Sequence, residues 1–558
     1  MTERLEIRKL STGVPGLDEV LGGGVPELSF NLIAGAPGCG KTTLAHQIVF
    51  ANATEERRAV YFTVYGEPPI KMLRYQQQFD FFDASKLTGA IRFVHLGQEL
   101  MEGGLSKVLA RIVRELETTE PSIVVVDSFR SLARVSNEVG HRQEQLGVEA
   151  FVQRLALMLT SYEATTFLIG EYNELESNNP VFTVADGLVW LHQTVARNSV
   201  VRRLQVTKVR GQEQIPGLHT VKISNQGMRV YPRIQKPEER QPRTLEQGEG
   251  GPPERRKIGV PGLDEMLGGG IPTGYSLLVV GPSGSGKTML GTHFLMEGVQ
   301  QGEPGVLAVF EKRPQDYLRT IGRGRDIQRS IDAAKISLVY IRPLDLSVDE
   351  TLEEIQRAVS ESGATRVVID SLSGFELALA PTFRDDFRES LYRMVGALTS
   401  LGVTVLMTCE VTDSFTEVRL SPHGISFLSD GIILQRYFEI DGEISKAMTV
   451  IKMRASSHSK ALREYEITEN GIVIGDGLTG YRGLLIGESE PAGARWERGK
   501  RAAKKSAPPK RAAKKPTAKK PTAKKPTAKT SAPAKRTAKT SAPAKRTAKT
   551  PRAKQRSS

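Results

Sequence analysis

Short apolar runs alternate with longer amphipathic stretches through most of the chain. In the first part the runs fall at residues 30–34, 59–63, 123–126, 166–169 and 187–191, and the stretches between them include 105–117 and 149–162. Runs too short for a helix and apolar at nearly every position predict strands buried on both faces, and the amphipathic stretches predict helices that cover them. Such alternation implies a mostly parallel sheet wrapped by helices, an α/β fold. Around residues 201–206 and 447–451 the pattern shifts toward alternation, which predicts an antiparallel edge added to each sheet.

The whole pattern occurs twice. Residues 13–19 (GVPGLDE) return as 259–265 and Lys41 returns as Lys287, both displaced by 246. Asp127-Ser128 matches Asp370-Ser371 at 243, Glu171 matches Glu410 at 239, and Lys208-x-Arg210 matches Lys452-x-Arg454 at 244. Loop insertions produce drift of this size. The chain therefore reads as a tandem duplication of one domain of roughly 230 to 240 residues, far longer than a solenoid unit. The first domain spans 1–232, a linker rich in Pro, Gly, Glu and Arg spans 233–256, and the second domain spans 257–489. Over 490–558 the composition collapses to Lys, Arg, Ala, Pro, Thr and Ser, with SAPAKRTAKT repeated verbatim at 531–540 and 541–550. Proline every few residues and nothing apolar to bury predict a disordered tail.

Charge changes the picture only once it is divided. The chain carries +14 overall, but residues 491–558 hold 24 Lys and Arg against the single acid Glu497, a net +23, so residues 1–490 carry −9. A basic tail is attached to a mildly acidic body. No apolar run reaches the roughly 18 residues of a membrane span, and the N-terminal ten residues lack the apolar core of a secretory signal. Two cysteines, Cys39 and Cys409, cannot build a disulfide framework. These features predict a soluble cytoplasmic protein.

The chemistry is announced by two loops. Residues 35–42 (GAPGCGKT) and 281–288 (GPSGSGKT) both fit G-x-x-x-x-G-K-[ST], and each follows an apolar strand and runs into a helix-like segment. In such a loop the backbone N–H groups wrap a nucleotide's phosphates, the lysine reaches the terminal phosphates and the hydroxyl reaches Mg²⁺. Gly38, Cys39, Gly40, Lys41, Thr42 and Thr43, with Gly284, Ser285, Gly286, Lys287, Thr288 and Met289, are the expected nucleotide-binding residues. ATP with Mg²⁺ is the expected ligand. Asp127 and Asp370 each end an apolar strand taken to neighbour the phosphate loop, where the metal-organising acid belongs; Thr42 and Asp127, and Thr288 and Asp370, are the predicted metal residues. The pairs Lys208/Arg210 and Lys452/Arg454 lie on late strands, where residues i and i+2 share a face. They form either a solvated face or cations that reach a nucleotide held by a neighbouring subunit.

With TGVPGLDEVLGGGVP, the phosphate loop, strand-Asp-Ser and K-x-R present in tandem, the chain resembles the KaiC family of double RecA-like ATPases over about residues 10–480. The resemblance implies two tandem RecA-like P-loop domains in a homo-hexamer with ATP between subunits. It implies ATP hydrolysis in the first ring, serine/threonine autokinase and autophosphatase activity in the second, and protein partners that read the state of the ring. Its pair of adjacent glutamates, the general base, falls on Glu311-Lys312 in the second half; in the first half only Glu67 is near, displaced by one or two positions. The family's Ser-Thr acceptor pair falls on Ser426-Phe427, so Ser426 is the candidate phosphoacceptor and a two-site cycle is unavailable at those positions. Lys41, Lys287, Glu67, Glu311 and the two K-x-R pairs make up the candidate catalytic set.

Other features leave alternatives open. Cys39 either fills a small-residue slot in its loop or, near a helix N-terminus that can lower a thiol pKa, gates the first site by oxidation. His46, His95 and His293 have no companions at ligand spacing and are assigned no metal. The tail would neutralise the phosphates of DNA, RNA or another polyanion without reading sequence, or simply keep the chain soluble. Besides a KaiC-type signalling ATPase, a RecA-like DNA-dependent ATPase in DNA processing and an ATP-regulated nucleoid-associated protein fit the same residues. The acidic body argues against a strand-exchange channel, although net charge is a weak guide to local fields.

Overall fold

The computed structural model of the chain describes residues 7–63, 69–128, 145–172, 180–196, 199–234, 254–321, 324–341, 346–411, 428–440, 442–479, 481–482 and 490–491. Each half of the duplication builds one nine-stranded sheet. In the first, the strands lie in the order Gly227–Tyr231, His219–Ser224, Ser199–Val209, Gly187–Ala196, Phe30–Gly35, Thr165–Glu171, Ile123–Asp127, Ala59–Thr63 and Ile91–His95. The strands from Gly187–Ala196 to Ile91–His95 run parallel, and the other three are antiparallel additions. The second sheet repeats this order, with Ser276–Gly281 in the seat of Phe30–Gly35. The α/β class and the antiparallel edge are thus as the residue pattern predicts.

Alternation along the central strands divides the core in two. Ile33, Val125 and Ile169 face helix Lys41–Asn52 and its Leu44, Ile48 and Val49. Leu32, Val126 and Leu168 face the opposite layer, helices Gly97–Thr119 and Gln145–Ser161. Helix Gly97–Thr119 is broken at Gly103 and Gly104, where Gly104 takes φ 61° and ψ −158°, a conformation open chiefly to glycine.

One expectation about strand order is corrected. Asp127 and Asp370 do not end strands that neighbour the phosphate loop: Thr165–Glu171 and Thr404–Glu410 sit between, paired with the loop strand on one side and the aspartate strand on the other. Both intervening strands come later in the chain than the aspartate strands, and sequence order alone does not reveal which strand takes the inner seat.

The halves differ in how their cores are anchored. Arg366 opens the second aspartate strand and is fully buried. Its guanidinium donates to Glu303 Oε2 (2.6 Å), Lys257 O (2.7 Å) and Phe294 O (2.9 Å) and lies over the Phe294 ring at 4.7 Å. In the first half the residue at that register is Ile123.

The outermost hairpin of the first sheet, His219–Ser224 with Gly227–Tyr231, has two working faces. Ile223 and Met228 oppose each other across it, and a Cβ placed on Gly40 of the phosphate loop would lie 2.7 Å from Ile223 Cδ1 and 2.9 Å from Met228 Cε. Lys222 and Arg229, the next opposed pair, face the other way and form ion pairs with Glu350 and Glu353 of helix Val348–Ser362 in the second half. Beside them Arg203 donates to Thr382 O (3.3 Å) and lies over the Phe383 ring at 4.8 Å. Asp349 Oδ1 accepts the Ile234 N–H at 3.2 Å.

Burial lifts the Asp349 carboxyl to about 6, against the pull of Arg393, Arg233 and Arg203. A carboxyl with a raised folded pKa adds to stability while it keeps its proton. That contribution is whole below its ordinary value of about 4 and is lost as pH rises through about 6. Asp349→Asn is therefore expected to raise Tm more at about pH 7.5 than at about pH 5, as scanning calorimetry would measure. A shift of the same size at both pH values would show that the carboxyl does not strain this seam.

Candidate nucleotide-binding sites

In the second half, strand Ser276–Gly281 delivers the chain into the loop and helix Lys287–Gln300 takes it out. Gly284 and Gly286 hold φ of 77° and 93°, the left-handed region in which a side chain is strained. These turns and the helix N-terminus are what present backbone N–H groups to an anion. A cleft of about 340 Å³ opens over the loop, and Lys287, Thr288, Glu311, Lys312, Asp370 and Glu410 are among its walls.

The loop is held from behind. Ser285 Oγ donates to Gln435 Oε1 (3.0 Å), Tyr465 donates to Ser285 O (2.6 Å) and Tyr437 to Ser283 O (3.1 Å). Lys287 lies along the loop and donates to Gly281 O (2.9 Å) and Pro282 O (2.6 Å). Burial lowers its pKa, opposed by the charges of Glu410, Asp370, Cys409 and Glu311. Asp370 accepts from Thr408 on one oxygen and from Tyr317 (2.8 Å) on the other. Glu311 stands two residues past Val309, packed so closely on Gly374 that a Cβ there would come within 2.2 Å of its Cγ. Burial first, then the charges of Asp370 and Glu410, push the Glu311 carboxyl up. A carboxylate raised in this way holds a proton more firmly than one of ordinary pKa.

The first site uses the same frame with different parts. Gly38 and Gly40 take φ of 76° and 108°, and Lys41 donates to Ala36 O at 2.8 Å. Thr42 Oγ1 and the Tyr61 hydroxyl both donate to Asp127 Oδ2, at 2.9 and 2.8 Å. Burial raises the Asp127 carboxyl, and these hydrogen bonds oppose the rise. The His46 ring stacks on Tyr61 at 4.5 Å, its Nδ1 bonds Thr42 O at 2.8 Å, and burial lowers its pKa to about 4. Thr43 and Met289, the third residues of their helices, are half-buried beside the loops.

Among the described residues no group of three or more His, Cys, Asp or Glu is placed to hold a metal by itself. The oxygen donors at Thr42 and Asp127, and at Thr288 and Asp370, fit a hard cation that takes its remaining ligands from phosphates and water, as Mg²⁺ does.

The four late-strand cations are far from their own loops. Arg210 pairs with Asp186 Oδ1 (3.0 Å), and the other oxygen of Asp186 accepts the N–H of Phe30, where the loop strand begins. Lys208 donates to Thr183 O (3.3 Å). The second half matches: Arg454 pairs with Asp430 (3.4 Å), which accepts the Ser276 N–H, and Lys452 donates to Ser429 O (2.7 Å). The loop leaves the far end of that strand, about 17 Å away at the usual rise per residue. Lys208 sits in the strand but Arg210 follows it in a turn, so i, i+2 alternation does not by itself describe the pair. Glu67 and Ser426 lie outside the described residues.

A sequence profile described as the KaiC ATPase matches residues 10–235 and again 256–478. The chain belongs to the KaiC family. It is similar to the circadian clock oscillator protein KaiC of Rippkaea orientalis, with 28% identity over 491 residues, covering 86% of this chain and 91% of that protein. Two Synechocystis proteins, circadian clock oscillator protein KaiC 1 and circadian clock protein KaiC3, are each 27% identical, covering 87% and 86% of this chain and 92% and 94% of theirs. This KaiC-family ATPase departs from symmetry at the acid next to the loop. Val309 is level with Asp370 and Thr63 with Asp127, so the position of Glu311 corresponds to residue 65, a tyrosine in the sequence.

Sequence reading missed the groups that brace the sites: Tyr61, Tyr317, Thr408, Gln435 and Tyr465. Nothing local marks a tyrosine as an aspartate's partner, and Tyr61 and Tyr317 come from different elements, a strand and helix Pro314–Thr320.

Both thiols are buried. Burial pushes Cys39 up despite the neighbouring Lys41 ammonium, the reverse of activation, and pushes Cys409 to about 11. Native protein treated with iodoacetamide at about pH 8.5 is expected to leave both unlabelled, where an ordinary thiol is half thiolate. Mass spectrometry should find full labelling only after denaturation. Rapid native labelling of Cys39 would reopen the redox gate.

Proposed function

We propose that this KaiC-family ATPase binds Mg²⁺-ATP in both halves at seams between subunits of a homo-hexamer, hydrolyses it in the first domain, and in the second transfers phosphate to serine. The observation that carries the reading is the place of Lys208, Arg210, Lys452 and Arg454: at the end of each sheet remote from its own loop, they suit a nucleotide held by a neighbour. Cations lent across a seam stabilise the charge that develops on the transferring phosphoryl group, a role worth about 10³ to 10⁵ in rate. Mg²⁺, held through Thr42 and Asp127 or Thr288 and Asp370, would neutralise the phosphate oxygens. Glu311 suits a base that takes the proton of a water or hydroxyl nucleophile. Ser426 is the proposed acceptor. The relatives are named for circadian clocks, but Phe427 stands where the family's threonine is expected, and a two-residue phosphorylation cycle is not part of this reading.

Light scattering with and without Mg²⁺-ATP, combined with tracing the γ-phosphate into solution and into protein, tests the scheme. Assembly with nucleotide is expected, as is a loss of about 10³-fold in turnover for Lys208→Ala/Arg210→Ala in the first site and Lys452→Ala/Arg454→Ala in the second. A chain that stays single at saturating ATP sinks the shared sites. ATP consumption with no phosphate on Ser426 by mass spectrometry leaves an ATPase without autokinase.

The basic tail supports a second element of the reading, sequence-independent binding to DNA or another polyanion. Truncation after Glu490 is expected to abolish retention on DNA and its salt dependence, each neutralised phosphate contributing about 0.9 to the log–log slope. Equal retention of the truncated chain would leave the tail a solubility device.

A further inference from the structure

Glu171 closes strand Thr165–Glu171, and Glu410 closes its counterpart Thr404–Glu410. Each is level with the glycine that opens a phosphate loop: Gly35 pairs with Glu171 and Gly281 with Glu410. Alternation decides where they point. Ile169 packs in the core beneath helix Lys41–Asn52 and Leu168 packs in the opposite core, so Glu171, two residues past Ile169, shares the face of the phosphate-loop helix. Asp127, two past Val125, is on that face as well. Leu406 and Met407 divide in the same manner, and Glu410 lines the second cleft with Lys287 and Glu311. Both glutamates are exposed at the strand end, and the charge of Glu171 acts on Asp127 as that of Glu410 acts on Lys287.

The halves part company on the neighbouring strand. The second has Glu311, whereas the first has Tyr65 at the corresponding position. A phenol of ordinary pKa near 10 does not take a proton from water at neutral pH. Asp127 is the acid already assigned, with Thr42, to the metal. Glu171 is then the described acid that faces the loop of the first half with an exposed carboxylate.

We infer that Glu171 is the general base of the first site. The assignment rests on the reading above that the first domain hydrolyses ATP. In the step, the attacking water oxygen bonds to the γ-phosphorus, the bond from that phosphorus to the β–γ bridging oxygen breaks, and its electron pair leaves with ADP. Glu171 takes one proton of the water and returns it to solvent as phosphate departs. In the second half Glu311 occupies the base position, and Glu410 is given no such role.

The test uses the full chain carrying Lys287→Ala, so that released phosphate reports the first domain. In that background Glu171→Gln is expected to lower turnover about 10²- to 10⁴-fold. Affinity for a fluorescent ATP analogue should stay within about threefold, a split that marks a chemical role and not a binding one. Nucleotide extracted from the variant should be ATP where the background yields ADP. Turnover within about threefold of the background overturns the assignment, as does a loss that falls equally on affinity. So does a Glu67→Gln chain that loses activity while Glu171→Gln keeps it. A background chain that binds ATP yet releases no phosphate would remove hydrolysis from the first domain, and the assignment with it.

Discussion

A loop that offers its backbone N–H groups to an anion cannot spend them on its own secondary structure, so something else must hold its shape. This requirement runs through both halves of the protein. In the second, side chains from later strands of the sheet do the holding: Gln435 and Tyr437 from the parallel strand Gly431–Ile440 and Tyr465 from the antiparallel edge reach Ser283 and Ser285. In the first, the slot of Ser285 is taken by Cys39, whose sulfur accepts weakly from Lys41 at 3.8 Å, and Ile223 and Met228 close on Gly40 by contact alone. The back wall of each loop is therefore built by later strands of its own sheet, antiparallel ones in the first half and both a parallel and an antiparallel one in the second.

That wall explains why one motif supports two unlike sites. The second loop is braced by directional bonds and faces three carboxylates, Asp370, Glu311 and Glu410. The first rests on apolar packing, with Thr42 and Tyr61 fixing one oxygen of Asp127. Duplicated frames keep the features that backbone geometry demands, such as left-handed glycines at 38, 40, 284 and 286, while side chains around them diverge.

Much of this was legible in the residues. Uniform apolar runs beside the loops could only be central strands, and repeated GKT, Asp-Ser and K-x-R landmarks carried the duplication. The strand order was not legible, because Thr165–Glu171 and Thr404–Glu410 insert themselves between loop and aspartate from later in the chain. Glu171 and Glu410 were visible as a repeat but not as facing acids, since facing depends on an alternation whose phase only the packed core reveals. Arg366 reads as a surface charge beside an apolar run, yet three carbonyl and carboxylate partners draw it fully inside. Such burial depends on groups 63 to 109 residues away, beyond the reach of local pattern.

The two-faced hairpin of the first sheet has a practical corollary. Its outermost strand, Gly227–Tyr231, carries Arg229, which with Lys222 beside it is answered by acids belonging to the other half. Severing the chain at its midpoint would leave those cations without counter-ions and uncover one face of the hairpin whose other face closes on the phosphate loop. Half-length fragments would then report the behaviour of a hairpin with one face uncovered and not that of the intact molecule.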